Sequence, residues 1–192
     1  DAFLLGEQGN GRLDLLVEEC DDLAMKIRLR ERARGLGIPV LMATSERGLL
    51  DIERFDTDPT RPPFHGLVQG LDLAAVTAGD EDAKVEFAMR ALGLDALSTR
   101  GAASLVEMGE TLSTWPQLAS AVSLGAALAT DAARRMALGQ LNTSGRFAVD
   151  LDNLVADGRA ERAVVSRSAD PSAVVQSKGQ DNLPATSELQ DL

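Results

Sequence analysis

Two adjacent carboxylates, Asp21 and Asp22, close the apolar run "LDLLVE" (13–18) and open a charged helix. Ligands of open α/β sheets sit beyond the carboxyl ends of the strands, where a carboxylate can hold Mg2+ on a nucleotide's phosphates. Acids at a helix start also cap free amides and satisfy the helix dipole with no ligand at all. Spacing alone leaves both roles open. Lys26, Arg28, Arg30, Arg32 and Arg34 alternate along the same helix, which spreads them around it as a solvated face; if one of them serves an anion, it is Lys26. His65, the lone histidine, follows a proline loop in "PPFHGLV" and has no nucleophile elbow or second metal ligand beside it, so it reads as a hydrogen-bonded structural residue. Cys20 reads as a small packed residue rather than a nucleophile. The glycine patterns "GEQGNG" (6–11) and "GLG" (35–37) read as turns, because a phosphate cradle follows a strand and opens a helix. Here the first precedes a strand and the second follows a helix.

The elements that position these residues follow from periodicity. The run 13–18 is too continuous for a strand with one wet face and suits one covered on both sides. Residues 20–34 form a helix with Leu23, Ile27 and the stem of Arg30 along one side, ended by Gly35 and Gly37. "IPVLMA" (38–43) returns as the next strand. Strand, helix and strand over this length make a βαβ unit with parallel strands and an α/β core. Further along, "GLLDIERF" (48–55) reads as a strand, 80–92 as an amphipathic helix opened by acids, 100–107 as a short helix, 115–138 as a long alanine-rich helix, and 147–154 as a strand. Alanine lets backbones approach closely, so the long helix packs deep or across a dimer interface. Residues 1–155 are expected to form one unit and 156–192, poor in large apolar residues, a linker or tail toward a following domain.

A chain of 192 residues that is 44% hydrophobic can bury a real core. Its 30 acidic against 19 basic residues give a net charge of −11, which argues against nucleic acid and anionic lipid as partners. One cysteine excludes an intramolecular disulfide and a cysteine zinc site within the chain, and a reducing cytoplasm fits. No apolar run approaches the roughly 20 residues that span a bilayer. The first residue is Asp1 rather than Met, which leads to the expectation of a segment from a longer protein.

The residues "DLLVEECDD" with Lys26 (14–26), followed by "GIPVLMATSERGLLDIERF" (37–55), resemble the second half of the adenylation domain of the ThiF, MoeB and ubiquitin-activating family. In that family a strand ends in a "D-x-x-D-N" type turn, the next helix carries an arginine, and the following strand leads to an "E-G-Q" type turn. By this resemblance Asp21 falls on the magnesium-coordinating aspartate, Glu18 takes the place of the preceding acid, Asp22 stands where asparagine is usual, and Lys26 replaces the arginine as the nucleotide-binding cation. The helix at 115–138 resembles the family's C-terminal "G-x-x-A-x-E-A" helix in place and character. "ERGLLDIERFD", "FHGL" and "STWPQLASAVSLGAA" are similar to bacterial fusion proteins in which a ThiF-like domain precedes a nitroreductase-like flavin domain, some with a molybdopterin-biosynthesis label. "SELQDL" (187–192) would then lie just before the flavin domain.

The resemblance implies a partial Rossmann-like ThiF-type α/β domain with parallel strands, and ATP and Mg2+ as cofactors of the complete domain. It equally implies a fragment of an ATP-dependent adenylyltransferase that is not competent alone. The family's "G-x-G-G-x-G" loop, ribose-binding acid, upstream arginine and lysine, catalytic cysteine and paired "C-x-x-C" motifs have no counterpart in these residues. Adenylation needs a phosphate cradle, magnesium and a positioned acceptor, and of these only the magnesium acid is represented. The alternative is a non-catalytic scaffold that forms a homodimer through the alanine-rich helix and presents a flavin-binding nitroreductase-like domain.

Overall fold

A computed structural model describes residues 2–6, 9, 11–93, 97–107, 110–156 and 166–168. The chain runs through a helical turn α1 (Ala2–Leu5), β1 (Leu16–Val17), α2 (Leu23–Leu36), β2 (Val40–Ala43), β3 (Leu50–Glu53), a 3-10 turn (Pro63–Gly66), α3 (Leu73–Ala78), α4 (Glu81–Leu92), α5 (Thr99–Glu107), α6 (Ala119–Ala137), β4 (Gly145–Ala148), α7 (Leu151–Leu154) and β5 (Ser166–Ser168). The strands form one mixed sheet in the order β1-β2-β3-β4-β5. The protein is therefore mixed α/β, with a partly parallel sheet.

Parallel pairing is confined to β1 and β2, joined through α2 with Leu16 opposite Val40. The other three pairs are antiparallel. Loop length explains the change, because the link 44–49 between β2 and β3 is far shorter than the dozen or more residues a parallel crossover needs.

Helix α2 begins where Asp22 accepts a hydrogen bond from the Met25 amide at 3.0 Å, and it ends on Gly37 at φ 62°. A left-handed cap of this kind suits glycine, which has no Cβ to clash. Gly35 lies inside the helix rather than at its end. The expected strand at 147–154 divides: β4 stops at Ala148, and Asp150 then caps the helical turn α7 through the Asp152 amide. The long helix starts at Ala119 rather than 115. Within the expected tail, Ser166–Ser168 pairs with β4 as a strand; residues 157–165 and 169–192, including "SELQDL", lie outside the described residues.

Each face of the sheet is covered. On one, Ala129 and Ala132 of α6 pack over Leu41, Leu50 and Ile52. A Cβ on Gly125 would stand 3.4 Å from the Thr44 carbonyl oxygen, so small residues bring this helix close to β2. On the other, Ile27 of α2 joins Phe64, Val68, Val76 and Phe87 from the 3-10 turn, the segment after it, α3 and α4. Leu4, Leu16, Ala33, Ile38, Val40 and Phe55 fill the end of the sheet opposite the acidic turn.

Candidate functional site: the acidic turn and the charges beneath it

The turn after β1 carries four acids, Glu18, Glu19, Asp21 and Asp22, with different fates. Glu18 is fully buried; its carboxylate accepts from Lys26 Nζ at 2.9 and 3.0 Å, from the Arg30 guanidinium, and from the Cys20 amide at 2.9 Å. Burial works to raise its carboxyl, but Arg30, Cys20 and Lys26 outweigh that and hold it below its ordinary value. Glu19 accepts from the Ala43 amide at 2.7 Å, tying the turn to the end of β2. Asp22 is the helix cap. Asp21 is exposed, and its carboxylate has no hydrogen bond among the described residues.

Lys26 thus faces inward onto Glu18 and also touches Met42 Sδ at 3.5 Å. Of the basic residues that alternate along α2, Arg28, Arg32 and Arg34 are exposed, whereas Arg30 is completely buried. Its guanidinium contacts Glu18, donates from Nε to Glu53 Oε2 at 2.8 Å, and lies 4.4 Å from the centroid of the Phe64 ring. Phe64 in turn meets Phe87 edge to face at 5.1 Å, so an aromatic pair closes the cluster from outside.

The strand β3 supplies the other acids. Leu50 and Ile52 face α6, while Asp51 and Glu53 face α2 by strict alternation. Asp51 pairs across the sheet with Arg146 Nε at 3.0 Å, in register on β4, and lies 3.1 Å from His65 Nε2. His65 Nδ1 meets Arg61 at 2.8 Å and its amide donates to Glu53 Oε1 at 3.3 Å. Phe64 and His65 both adopt φ 54°, a strained backbone for non-glycine residues. The buried ring and the three bonds of the imidazole residue hold it there.

Glu18, Asp51 and Glu53 therefore face Lys26, Arg30 and Arg146, a balanced set sealed beneath α2. Within it the acids differ. Burial works to raise the Asp51 carboxyl, but His65, Arg30 and Arg146 keep it low; burial and then the Asp51 charge push Glu53 up. Cys20 Sγ donates to Glu18 at 3.0 Å, and burial followed by that acid pushes the thiol up to about 11.

The resemblance implies that Asp21 and Lys26 belong to one magnesium and nucleotide site. The structure puts them on the same turn but turns them apart, Asp21 to solvent and Lys26 to Glu18. Among the described residues no group of three or more His, Cys, Asp or Glu could hold a metal. A single open carboxylate fits Mg2+ carried on a nucleotide's phosphates, since that ion keeps several waters and takes one or two protein carboxylates. It does not fit a metal caged by protein alone. Among the described residues no helix is long and apolar enough to cross a membrane.

This is a mixed α/β unit with one open carboxylate at the end of its parallel pair and a sealed charge cluster beneath. No family model matches the chain, and no solved structure matches it. It is similar to "Uncharacterized protein MT1398" of Mycobacterium tuberculosis (strain CDC 1551 / Oshkosh), 46% identical over 154 residues that make up 79% of this chain and 20% of that protein. The chain spans about a fifth of the length of the curated relative it matches.

Proposed function

We propose that the chain is the C-terminal part of a ThiF-like ATP-dependent adenylyltransferase domain, not competent by itself, in which Asp21 takes the Mg2+ of a bound nucleotide. The observation that carries this reading is the contrast among neighbouring carboxylates. Glu18, Glu19 and Asp22 each have a protein partner, whereas Asp21 stands open at the carboxyl end of a parallel strand. An unspent carboxylate there is a ligand position, and the resemblance supplies the ligand. In this reading Lys26 positions Glu18 and meets a phosphate only by leaving it.

Isothermal titration of the full-length protein with Mg-ATP tests the reading. Asp21→Ala weakens Mg-ATP about tenfold, the effect of losing one charged contact, while Asp22→Ala lowers helix stability and leaves affinity unchanged. Equal affinity for wild type and Asp21→Ala, or no binding by the full-length protein, overturns it.

A specific observation favours the second reading, a homodimeric scaffold for a nitroreductase-like flavin domain. Ala119, Val122 and Ala126 are all exposed at helical spacing on α6, a face small enough for close helix pairing. Sedimentation decides this: a dimer that Val122→Asp converts to monomer supports it, and a monomeric wild type ends it.

A further inference from the structure

The outer edge of β1 is unfinished in two directions at once. The Leu16 and Glu18 amides donate to the Pro39 and Leu41 carbonyls on the β2 side, so in this parallel ladder the Val17 amide and carbonyl point the other way. Among the described residues no strand lies there. The sheet face above it is bare as well. Leu15 packs into the cluster under α6; Val17, two residues on, shares that face yet is 50% exposed. Helix α6 leaves it uncovered because it sits over β2 and β3.

The same helix turns a matching flank toward this step. Leu124 lies over Gly48 beside the Val149 carbonyl, on the β4 side. Val122 and Ala126 are each two residues from Leu124, about 160° around the helix, and so face the β1 side. Both are exposed.

We infer that this step is a docking surface for a strand and a helix of one longer polypeptide, both outside residues 1–192. The strand pairs with the free edge of β1, and the helix lies over Val17 against Val122 and Ala126. Spacing selects this occupant. Strands lie about 4.8 Å apart and packed helices about 10 Å apart, so one helix covers two strands. With α6 over β2 and β3, the next helix position falls over β1 and a strand beyond it. A second copy paired edge to edge would place its α6 four strand spacings away, about 19 Å, and leave that position empty. Charge argues against a second copy too. Residues 13–22 carry Asp14, Glu18, Glu19, Asp21 and Asp22 and no base, and antiparallel self-pairing would set these acids against their copies. In the Mycobacterium tuberculosis relative, about four-fifths of the polypeptide lies outside the matched stretch, ample chain for the missing layer.

Site-resolved deuterium exchange on the full-length gene product, at low and at high concentration, tests this. An open edge would let the Val17 amide exchange about a hundredfold faster than that of Leu16, which β2 protects. The expected result is similar exchange at both amides, independent of concentration. Ala126→Arg, which an open flank would tolerate, is expected to lower the thermal midpoint and to speed exchange at Val17. Fast exchange at Val17 in the full-length protein overturns the inference, as does an Ala126→Arg protein with an unchanged midpoint. So does a gene product no longer than these residues. Protection that appears only at high concentration overturns it as well, in favour of a second copy on the flank that the dimer reading uses. Nucleotide enters none of these readouts, so the adenylyltransferase reading can fail while this one holds, and the reverse.

Discussion

Arg30 Nε donates to Glu53 Oε2 at 2.8 Å, bridging α2 and β3 with both side chains wholly shut off from water. Burial of the guanidinium is tolerable only because Glu18 lies on its other side and Phe64 stacks on its face. Removing it leaves two buried carboxylates short of a cation. Arg30→Met is expected to destabilise the protein by about 3–5 kcal/mol in urea unfolding. Arg30→Met combined with Glu53→Gln recovers part of that, because Glu18 keeps Lys26 and Asp51 keeps Arg146, so no uncompensated charge remains. A loss below about 1 kcal/mol for Arg30→Met would mean the cluster is hydrated rather than sealed.

The parallel pair, its crossover helix and the strand 50–53 were legible from continuous apolar runs and from Gly37. The charge cluster was not, although its signal lay in "LDIE". When Leu50 and Ile52 fill one face of a strand, Asp51 and Glu53 must occupy the other; a helix over that face makes them buried acids in need of buried bases. Periodicity set the stem of Arg30 on the apolar side of α2 with Leu23 and Ile27, but reading the alternating bases as a solvated face left its guanidinium in water, whereas it turns inward too. The antiparallel strands were missed for a different reason: a short link decides strand direction, and apolar runs carry no direction. His65 and Arg146 join Asp51 only through tertiary contact, which no spacing in the sequence encodes.

The acids of the cluster titrate in opposite senses, which shapes the acid limb of stability. Glu18 and Asp51 are held below their ordinary values of 4.5 and 3.8, so the stability they contribute is present above those values and lost as pH falls through the lower folded ones. Glu53 is raised above 4.5; the folded state takes its proton before the unfolded chain does, so between the raised value and 4.5 falling pH favours folding. Urea midpoints measured from about pH 7 to about pH 3 should hold or rise slightly on approach to 4.5 and drop below it. Glu53→Gln reduces the rise, to which Glu19, also raised by burial, contributes the rest, and Glu18→Gln flattens the drop.

The imidazole of His65 has its tautomer dictated by its neighbours. Arginine only donates, so the Arg61 contact at 2.8 Å makes Nδ1 an acceptor, and the proton sits on Nε2, from which it is donated to Asp51. The chain has one histidine, and long-range proton–nitrogen spectra at neutral pH therefore report it unassigned. They should show the Nε2–H form, shifting on Arg61→Ala. A dominant Nδ1–H form would require the turn at Pro63–Gly66 to be arranged differently.

Cys20 lies beside a proposed ligand position, yet its environment argues for inertness. Its thiol donates to Glu18 at 3.0 Å, and burial with that carboxylate pushes it from 9.0 up to about 11. The thiolate is the reacting species, so a rise of that size cuts its population about a hundredfold near pH 8. A more basic thiolate is also more nucleophilic, which returns about tenfold. The net expectation is exchange with an aromatic disulfide about tenfold slower than for an unperturbed cysteine. Glu18→Gln removes the anionic acceptor but not the burial, which is the larger cause, so the rate should rise part of the way toward the unperturbed value. A fast wild-type rate, unchanged by Glu18→Gln, would show that the thiol does not sit on the carboxylate, and the packing of the acidic turn would need redrawing.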